Sequence, residues 1–478
     1  MNKKFETSFL HDINFFTTYA CNSRCLNCQI WKGKGVDRKR RVIKAIDLLP
    51  LYNDPLFSGC PNIGFAGGEP TISPFFWDIL ETTPEKKHIT ITTNALSSQK
   101  LLKRLDSLKD SYSAMIQVSI DGIGTVHDHL RGISGAYEKA TNLLNRLKDL
   151  EIKRLVSFTI NRLNYHQIKE VYSLAHDNGA GFSVRMAQLG GAYENELQKE
   201  LLHFSNEQIQ AMENSIDYII DLEFKKENHS PAQLVFINRM LNNYKNIKDD
   251  IPCLAMETGL VIDLYGNVYP NCPQIMTPLG SLFDDTLTNI WKSKKAEEIR
   301  FRIEKKKCGG CWNDCQMVTN ISEDTDFLKK EYHKLKLGWL KKQPLQKNIK
   351  FKNGSNVLLL DGWYGIEGDS QFRYRWTEPD FSIFVPKGTK GIEFFAMIPV
   401  TTAQNERVKI NVVMGDTPLP DLQKNGAEWE KYRIDLQQPT EEIKQLHITF
   451  SKGYCPKTEK KSDDCRDLGM AIADIQFL

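Results

Sequence analysis

Three cysteines within eight residues, Cys21-Asn-Ser-Arg-Cys25-Leu-Asn-Cys28, follow directly on an aromatic, β-branched run from Asp12 to Ala20. Such a run reads as a strand. The cysteines therefore fall in the loop at its C-terminal end, the face on which (β/α) folds collect their active sites. The count of three is the informative part. A structural zinc closes its shell with four protein ligands, whereas three thiolates on a four-iron cube leave one iron open to a small molecule. The competing reading is a zinc knuckle whose fourth ligand, such as His11, lies outside the run. A structural disulfide is not expected, because the N-terminus, Met-Asn-Lys-Lys-Phe-Glu-Thr, lacks the apolar stretch of a secretory signal.

The length, 478 residues, calls for two or three domains. The 63 basic and 60 acidic side chains leave a net charge of +3, a near balance that argues against a general nucleic-acid binder. No apolar run reaches the length of a membrane span, and a cytoplasmic location is expected. Eleven cysteines are many for an intracellular chain that does not use them. Besides the first triplet they stand at Cys60, Cys253, Cys272, Cys308, Cys311, Cys315, Cys455 and Cys465. Cys60 reads as a small core residue, and Cys455 and Cys465 as either separate thiols or a pair across a hairpin.

From Asp12 to about Leu189 strand and helix patterns alternate. Strands are expected at Asn62–Ala66, His88–Thr93, Ala114–Ile120, Leu155–Ile160 and Gly181–Met186. Between them lie helical patterns such as Tyr137–Leu150, with Ala140, Leu143, Leu144 and Leu147 on one face. Six strand–helix units predict a parallel sheet with outer helices, an open (β/α)6 partial TIM-like barrel. The expected division is a barrel core over 1–195, a helical segment over 196–250, a small Cys-rich α+β extension over 251–320, a helical linker over 321–350 and an all-β sandwich over 351–478. The sandwich rests on short strand-like runs at Val357–Leu360, Phe381–Val385, Ile392–Met397, Val408–Val413, Tyr432–Leu436, Leu446–Phe450 and Ala471–Phe477.

Two further motifs sit at strand ends. The second strand runs into Gly67-Gly68-Glu69-Pro70, where missing Cβ atoms allow close backbone approach to a ligand, Glu69 supplies charge and Pro70 stiffens the exit. Alone, such a tetrapeptide is more often a turn. The fourth strand ends in Ser119-Ile-Asp121-Gly122, whose polar side chains suit hydroxyls or a carboxylate, with an Asx-turn at Asp121 as the plain alternative. Downstream, His127 and His129 are candidate metal ligands, but they fit better in a loop packed beneath the site, with Arg131 holding a carboxylate.

These three motifs, in this order over residues 12 to about 190, resemble the radical S-adenosylmethionine (radical SAM) enzymes. The resemblance implies a [4Fe–4S] cluster on Cys21, Cys25 and Cys28 whose open iron chelates the methionine end of S-adenosylmethionine. It places Gly67, Gly68 and Glu69 against the amino group, and Ser119, Asp121 and Asn161 at the methionyl or ribose part. It also implies an external electron donor such as flavodoxin or ferredoxin. One departure stands out. Many members carry an aromatic residue just before the third cysteine, where this chain has Asn27.

The later cysteines, Cys253, Cys272 and Cys308-Gly-Gly-Cys311-Trp-Asn-Asp-Cys315, resemble the auxiliary-cluster extensions called SPASM or twitch domains. The full SPASM pattern has seven cysteines; the five here suffice for one auxiliary [4Fe–4S] cluster, on Cys253, Cys272 and two of the other three. Zinc on four of the five is the alternative. The helical pattern Ser322–Lys342 interleaves lysines with Phe327, Leu328, Tyr332, Leu335, Trp339 and Leu340. It fits a linker packing its apolar stripe better than a helix lying on a membrane surface. The C-terminal part resembles β-sandwich modules appended to bacterial surface-polysaccharide enzymes. There Trp363, Tyr364 and Trp376 offer sugar-stacking faces and Arg373 or Arg375 a partner for hydroxyls or phosphate, unless these rings are core.

The leading expectation is a radical SAM oxidoreductase or epimerase acting on a sugar, nucleotide-sugar or lipid-linked glycan. Peptide maturation is the second, weakened because only twenty residues precede Cys21. A zinc-stabilised glycan-binding protein without catalysis is the third. No motif selects a hydrogen donor, although Arg185, Tyr193 and Tyr269 are candidates to line the cavity.

Overall fold

The strands of the first half alternate an apolar face with a polar one. That is unusual for parallel strands, which are normally apolar on both faces. The computed structural model describes residues 10–33, 36–193, 195–226, 229–245, 247, 251–305, 312, 314–344, 347–351, 358–368, 372–399, 409–422, 428–451, 453–457 and 463–478, with backbone alone at 105–111, 196–198 and 315. It shows where both faces go. Strands β1 (Asp12–Phe16), β2 (Asn62–Ala66), β3 (His88–Thr93), β4 (Ser113–Ser119), β5 (Lys153–Ile160) and β6 (Gly181–Met186) pair in sequence order, all parallel. Ile13, Phe15, Ile63, Phe65, Ile89, Ile91, Ile116, Val118, Val156, Phe158 and Val184 are buried. The alternate residues, among them Gln117, Ser119, Thr159 and Arg185, line a cavity. The helix Ala136–Asp149 buries Ala140, Leu143, Leu144 and Leu147, the expected face. Each of the three leucines contributes ~1.5–3 kcal/mol when fully buried.

The sheet is an open partial barrel, and its β1 edge is not left bare. Strand β7 (Gly259–Asp263), from the cysteine-rich extension, pairs parallel to β1 with Asp12 opposite Gly259 and Phe16 opposite Asp263. Strands β8 (Asn267–Pro270) and β9 (Gly280–Ser281) follow antiparallel, completing nine strands. This long-range pairing extends the sequence reading, which has only short strands and turns in that segment.

The chain divides into two compact units, Met1–Ile220 with Ala232–Leu328, and Asp221–Pro231 with Lys329–Leu478. The second unit holds two antiparallel sheets. One contains β11 (Trp363–Gly368), β12 (Arg373–Thr377), β19 (Ala471–Phe477), β14 (Gly391–Met397) and β17 (Glu430–Asp435), with β10 (Asn348–Lys350) also on β19. The other contains β13 (Asp380–Val385), β18 (Lys444–Phe450), β15 (Ile410–Met414) and β16 (Thr417–Leu422). Trp363 is half-buried: its ring meets Phe381 edge-on at 5.2 Å and its Nε1 donates to Ser382 O at 3.0 Å. Tyr364 carries Arg466 over its ring at 5.1 Å and donates to Asp467 O. The helix Thr325–Leu340 buries Trp339, Leu340 and Lys336, and Trp339 packs on Phe224 at 5.0 Å. Among the described residues no helix is long and apolar enough to cross a membrane. Cys455 and Cys465 are not disulfide-bonded.

Candidate active site

The loop carrying the cysteines is laid down by backbone. Beyond the last paired residues of β1 and β2 the two chains stay in contact. Gly68 N donates to Thr18 O at 2.7 Å and Glu69 N to Ala20 O at 2.9 Å. A Cβ on Gly68 would lie 2.0 Å from Ala20 O, and one on Gly67 (φ +128°) 2.4 Å from Thr18 O. The glycines are thus required by the approach of the chain's own backbone as it enters Cys21, and they line the cavity as well.

Glu69 is buried, 1% exposed. Its Oε1 accepts from Thr71 N, Thr71 Oγ1 (2.7 Å) and Thr93 Oγ1 (2.9 Å), and its Oε2 accepts from Asn94 N at 2.7 Å. Burial raises its pKa, and these four donors oppose the rise. A carboxylate has about four lone-pair sites, two on each oxygen. Capacity for a ligand therefore remains on Oε2.

Ser119 and Asp121 both line the cavity, and Asp121 is also engaged by the protein. Asp121 Oδ1 accepts from Thr159 N at 3.0 Å, and Oδ2 meets Arg131 Nη2 at 2.9 Å. Arg131 thus holds a carboxylate, and its Nη1 also lies 3.7 Å from Cys25 Sγ. His127 is buried, and its Nδ1 accepts from Asp121 N at 3.0 Å. Burial, reinforced by the charge of Arg131, pushes its pKa down to about 3, so His127 is a neutral packing residue beneath the site. Asn161, 0% exposed, does not reach the cavity lining; its Nδ2 donates to Asn27 Oδ1 at 2.8 Å.

Cys21, Cys25 and Cys28 all open on one cavity of about 220 Å³, with Gly67, Gly68 and Glu69 on one wall and Ser119, Ser157, Thr159 and Arg185 on another. Burial pushes the Cys21 thiol up to about 11 and Cys28 up to about 12, so a metal group binding there displaces their protons. Among the described residues no three Cys, His, Asp or Glu side chains are grouped as a single metal ion would need. The donor set, three thiols spread around a polar cavity, fits a multi-iron cluster. Arg185 and Tyr193 line the cavity; Tyr269 does not, and instead shares Asp263 Oδ2 with Tyr19.

Several participants escaped the sequence reading. Asn94 Nδ2 lies 3.7 Å from Cys21 Sγ and donates to Asn22 Oδ1, while Ser23 Oγ stands 3.1 Å from Cys25 Sγ. Asn94 was detectable as a polar residue at the C-terminal end of a strand. Asn195 Nδ2 bonds both Asn27 O and Gln188 O, tying the loop after β6 to the cysteine loop. That loop also touches the second cysteine group: Gln29 N donates to Tyr193 O at 2.8 Å, and Ala192 N to Pro273 O at 2.9 Å, next to Cys272. Asn271 N donates to Ala255 O at 3.3 Å, bringing the Cys272 turn beside the Cys253 segment. Cys308 and Cys311 lie outside the described residues, and Cys315 is described by its backbone, in the helix Asp314–Glu323.

Comparison with known proteins agrees with this geometry. Residues 15–175 match the radical SAM superfamily, and residues 253–316 match the SPASM iron–sulfur cluster-binding domain. The chain carries a radical SAM domain and an SPASM domain. The first implies a [4Fe–4S] cluster with S-adenosylmethionine, and the second implies auxiliary iron–sulfur chemistry. The chain is 28% identical over 162 residues to the Fe-coproporphyrin III synthase of Methanosarcina barkeri, covering 34% of this chain and 39% of that protein. It is 21% identical to the sporulation killing factor maturation protein SkfB of Bacillus subtilis, covering 61% and 67%. It is 25% identical to the mycofactocin maturase MftC of Mycobacterium tuberculosis, covering 62% and 73%. Among solved structures, Streptococcus suis SuiB bound to S-adenosylmethionine aligns with a TM-score of 0.49 at 19% identity, over 64% of this chain and 71% of that one.

Proposed function

We propose that this chain is a radical SAM maturase that modifies a peptide, drawing electrons from an external donor such as flavodoxin or ferredoxin. The observation that carries the radical SAM reading is the convergence of Cys21, Cys25, Cys28, Gly67, Gly68, Glu69 and Ser119 on one cavity. Two relatives that each cover more than 60% of the chain, named a maturation protein and a maturase, favour a peptide over the glycan that the C-terminal sequence suggests. Cys21, Cys25 and Cys28 hold the cluster, and Cys253 and Cys272 with two of Cys308, Cys311 and Cys315 hold the auxiliary one.

When bound, the cluster and S-adenosylmethionine would supply one-electron chemistry for taking hydrogen from an unactivated C–H bond. The chain's own residues bind and orient. Glu69 Oε2 would accept from the nucleotide's amino group, and Ser119 and Asp121 would hold its methionyl or ribose part. Asp121, on the cavity wall, fixes Arg131, and Asn161 fixes Asn27 from behind. Gln117, Ser157, Thr159 and Arg185 form a polar wall against which substrate would lie.

A sugar substrate is the second reading. It is favoured by the half-buried rings of Tyr374, Phe395 and Trp429 and the exposed Phe372, which cluster beside a cavity of about 240 Å³ bordered by Glu393, Lys431, Asp474 and Gln476. The test is anaerobic reconstitution followed by incubation with S-adenosylmethionine, dithionite and either a short precursor peptide encoded beside the gene or UDP-N-acetylglucosamine. Deoxyadenosine release that rises with the peptide, together with a peptide mass change, supports maturation. A change in the nucleotide-sugar alone overturns it.

A further inference from the structure

Whereas the cysteine loop's own Arg24 turns its guanidinium to Cys21 O and Ser23 O, Arg131 presents its guanidinium to Cys25 Sγ. Its helix, Thr125–Arg131, ends against the loop. Arg24 N and Ser23 Oγ both bond Arg131 O (2.8 and 3.0 Å), and Leu26 N bonds Leu130 O at 2.9 Å. Gly132 closes the helix in the left-handed region (φ +64°), and a Cβ there would lie 2.6 Å from Arg24 O. The side chain is 13% exposed, and it points one nitrogen at Cys25 Sγ (3.7 Å) and another at Asp121 Oδ2 (2.9 Å). Asp121 is itself immobilised: Oδ1 takes Thr159 N, its backbone N–H goes to His127 Nδ1, and its carbonyl takes Asn164 Nδ2. Asp121 is the carboxylate paired with Arg131, while Asp128, the other carboxylate near His127, accepts from Gly135 N and Tyr137 N.

We infer that the Arg131–Asp121 pair sets the reduction potential of the cluster held by Cys21, Cys25 and Cys28, acting on Cys25 as a dipole with its positive end at the sulfur. This rests on the proposed cluster site. Reducing an iron–sulfur cluster adds negative charge shared by its thiolates, and N–H donors and cations at a ligating sulfur stabilise that charge. At contact distance in a site screened from water the interaction is strong. Arg131 therefore makes the cluster easier to reduce, and Asp121, on the guanidinium's other terminal nitrogen, tempers the effect while aiming the guanidinium. Arg131 is a positioning residue: it acts through Cys25. The pair gives a signed expectation that a merely structural role does not. Removing the cation and removing the anion must move the potential in opposite directions.

The test uses the full chain, reconstituted anaerobically with iron and sulfide, as wild type, R131K, R131M and D121N. Its readout is the midpoint potential of the N-terminal cluster from the EPR signal of the reduced state, assigned by its absence in a variant with Cys21, Cys25 and Cys28 all replaced by Ala. The expected order is R131M most negative, R131K near wild type and D121N least negative. If R131M does not load, R131K and D121N alone decide, because D121N keeps the cation and loses only its counter-charge. Potentials that stay at the wild-type value, or that shift in the same direction in R131M and D121N, overturn the inference. If the wild type binds no more iron than the triple-Ala variant, the cluster reading itself falls, which is a different and recognisable result.

Discussion

Asn161 and Asn27 are joined side chain to side chain, Asn161 Nδ2 donating to Asn27 Oδ1 at 2.8 Å across 134 positions of sequence. Asn27 stands where the sequence resemblance leads one to expect an aromatic residue, and its amide ties the cysteine loop to the end of β5. Asn161 Oδ1 also accepts from Leu163 N at 2.7 Å. N161A leaves buried polar groups unmatched, at a cost of ~1–3 kcal/mol. The expected outcome is a lower thermal midpoint together with faster loss of reconstituted iron to a chelator. Unchanged iron release would show that the loop does not depend on this bond.

Gly68 admits no side chain. Its added Cβ would meet Ala20 O at 2.0 Å, a backbone atom that cannot swing away. G68A must therefore open the contact between Glu69 N and Ala20 O, with strain of ~1–3 kcal/mol or more. Reconstituted G68A is expected to bind less iron than wild type and to lose S-adenosylmethionine affinity, measured by equilibrium dialysis of the labelled nucleotide.

Much of this site was legible because its signals are local. A strand pattern running into three cysteines, or into Gly-Gly-Glu, states both the residue and its place at a strand end. The alternation in His88-Ile-Thr-Ile-Thr-Thr93 marks a strand apolar toward the helices and polar toward the cavity. What stayed hidden depends on partners far away in sequence. Five residues, Gly259–Asp263, become a parallel neighbour of β1 only when the extension folds back. Asn161 carries no local sign that its amide goes to Asn27 rather than to a ligand. β16, Thr-Pro-Leu-Pro-Asp-Leu, contains two prolines, which an edge strand tolerates but a sequence pattern counts against.

The two cysteine groups should load independently. Two [4Fe–4S] clusters correspond to ~8 irons per chain, four for each cluster. C21A is expected to lose about half of this, and C272A the other half. Iron analysis beside visible absorption checks it. A C272A variant retaining all its iron would remove Cys272 from the auxiliary ligand set.

Lys336, 5% exposed, gives the second unit a pH signature. Burial pushes its ammonium down to about 8 from 10.5, with the Asp361 charge opposing the fall. Below about pH 8 it is protonated both folded and unfolded. Between about 8 and 10.5 the unfolded chain binds a proton that the folded chain does not, so stability from this residue rises with pH. The rise is at most ~1.4 kcal/mol per pH unit. Denaturant unfolding of wild type against K336M at pH 7.5 and 10 (chosen to bracket ~8) should show the wild type gaining on the variant. Parallel behaviour of the two proteins would place the Lys336 pKa elsewhere.

Asp314 and Arg185 couple the cavity wall to the segment of the late cysteines. Their Oδ2 and Nη2 lie 3.0 Å apart, with side chains 8% and 17% exposed, and Ser183 Oγ also bonds Asp314. Arg185 Nη2 reaches Ser157 Oγ at 3.0 Å, so a residue adjoining Cys315 decides how a cavity-lining guanidinium is aimed. Removing one member of a buried pair costs ~3–5 kcal/mol, because the other charge is left without its counter-ion. D314A is expected to lose stability on this scale, and combining it with R185M should recover part of the loss. The functional expectation is separate. Substrate-independent deoxyadenosine release should persist in D314N, since Cys21, Glu69 and Ser119 are untouched, while the increment caused by substrate falls. Equal loss of both activities would mean that Asp314 supports the whole barrel rather than the substrate wall.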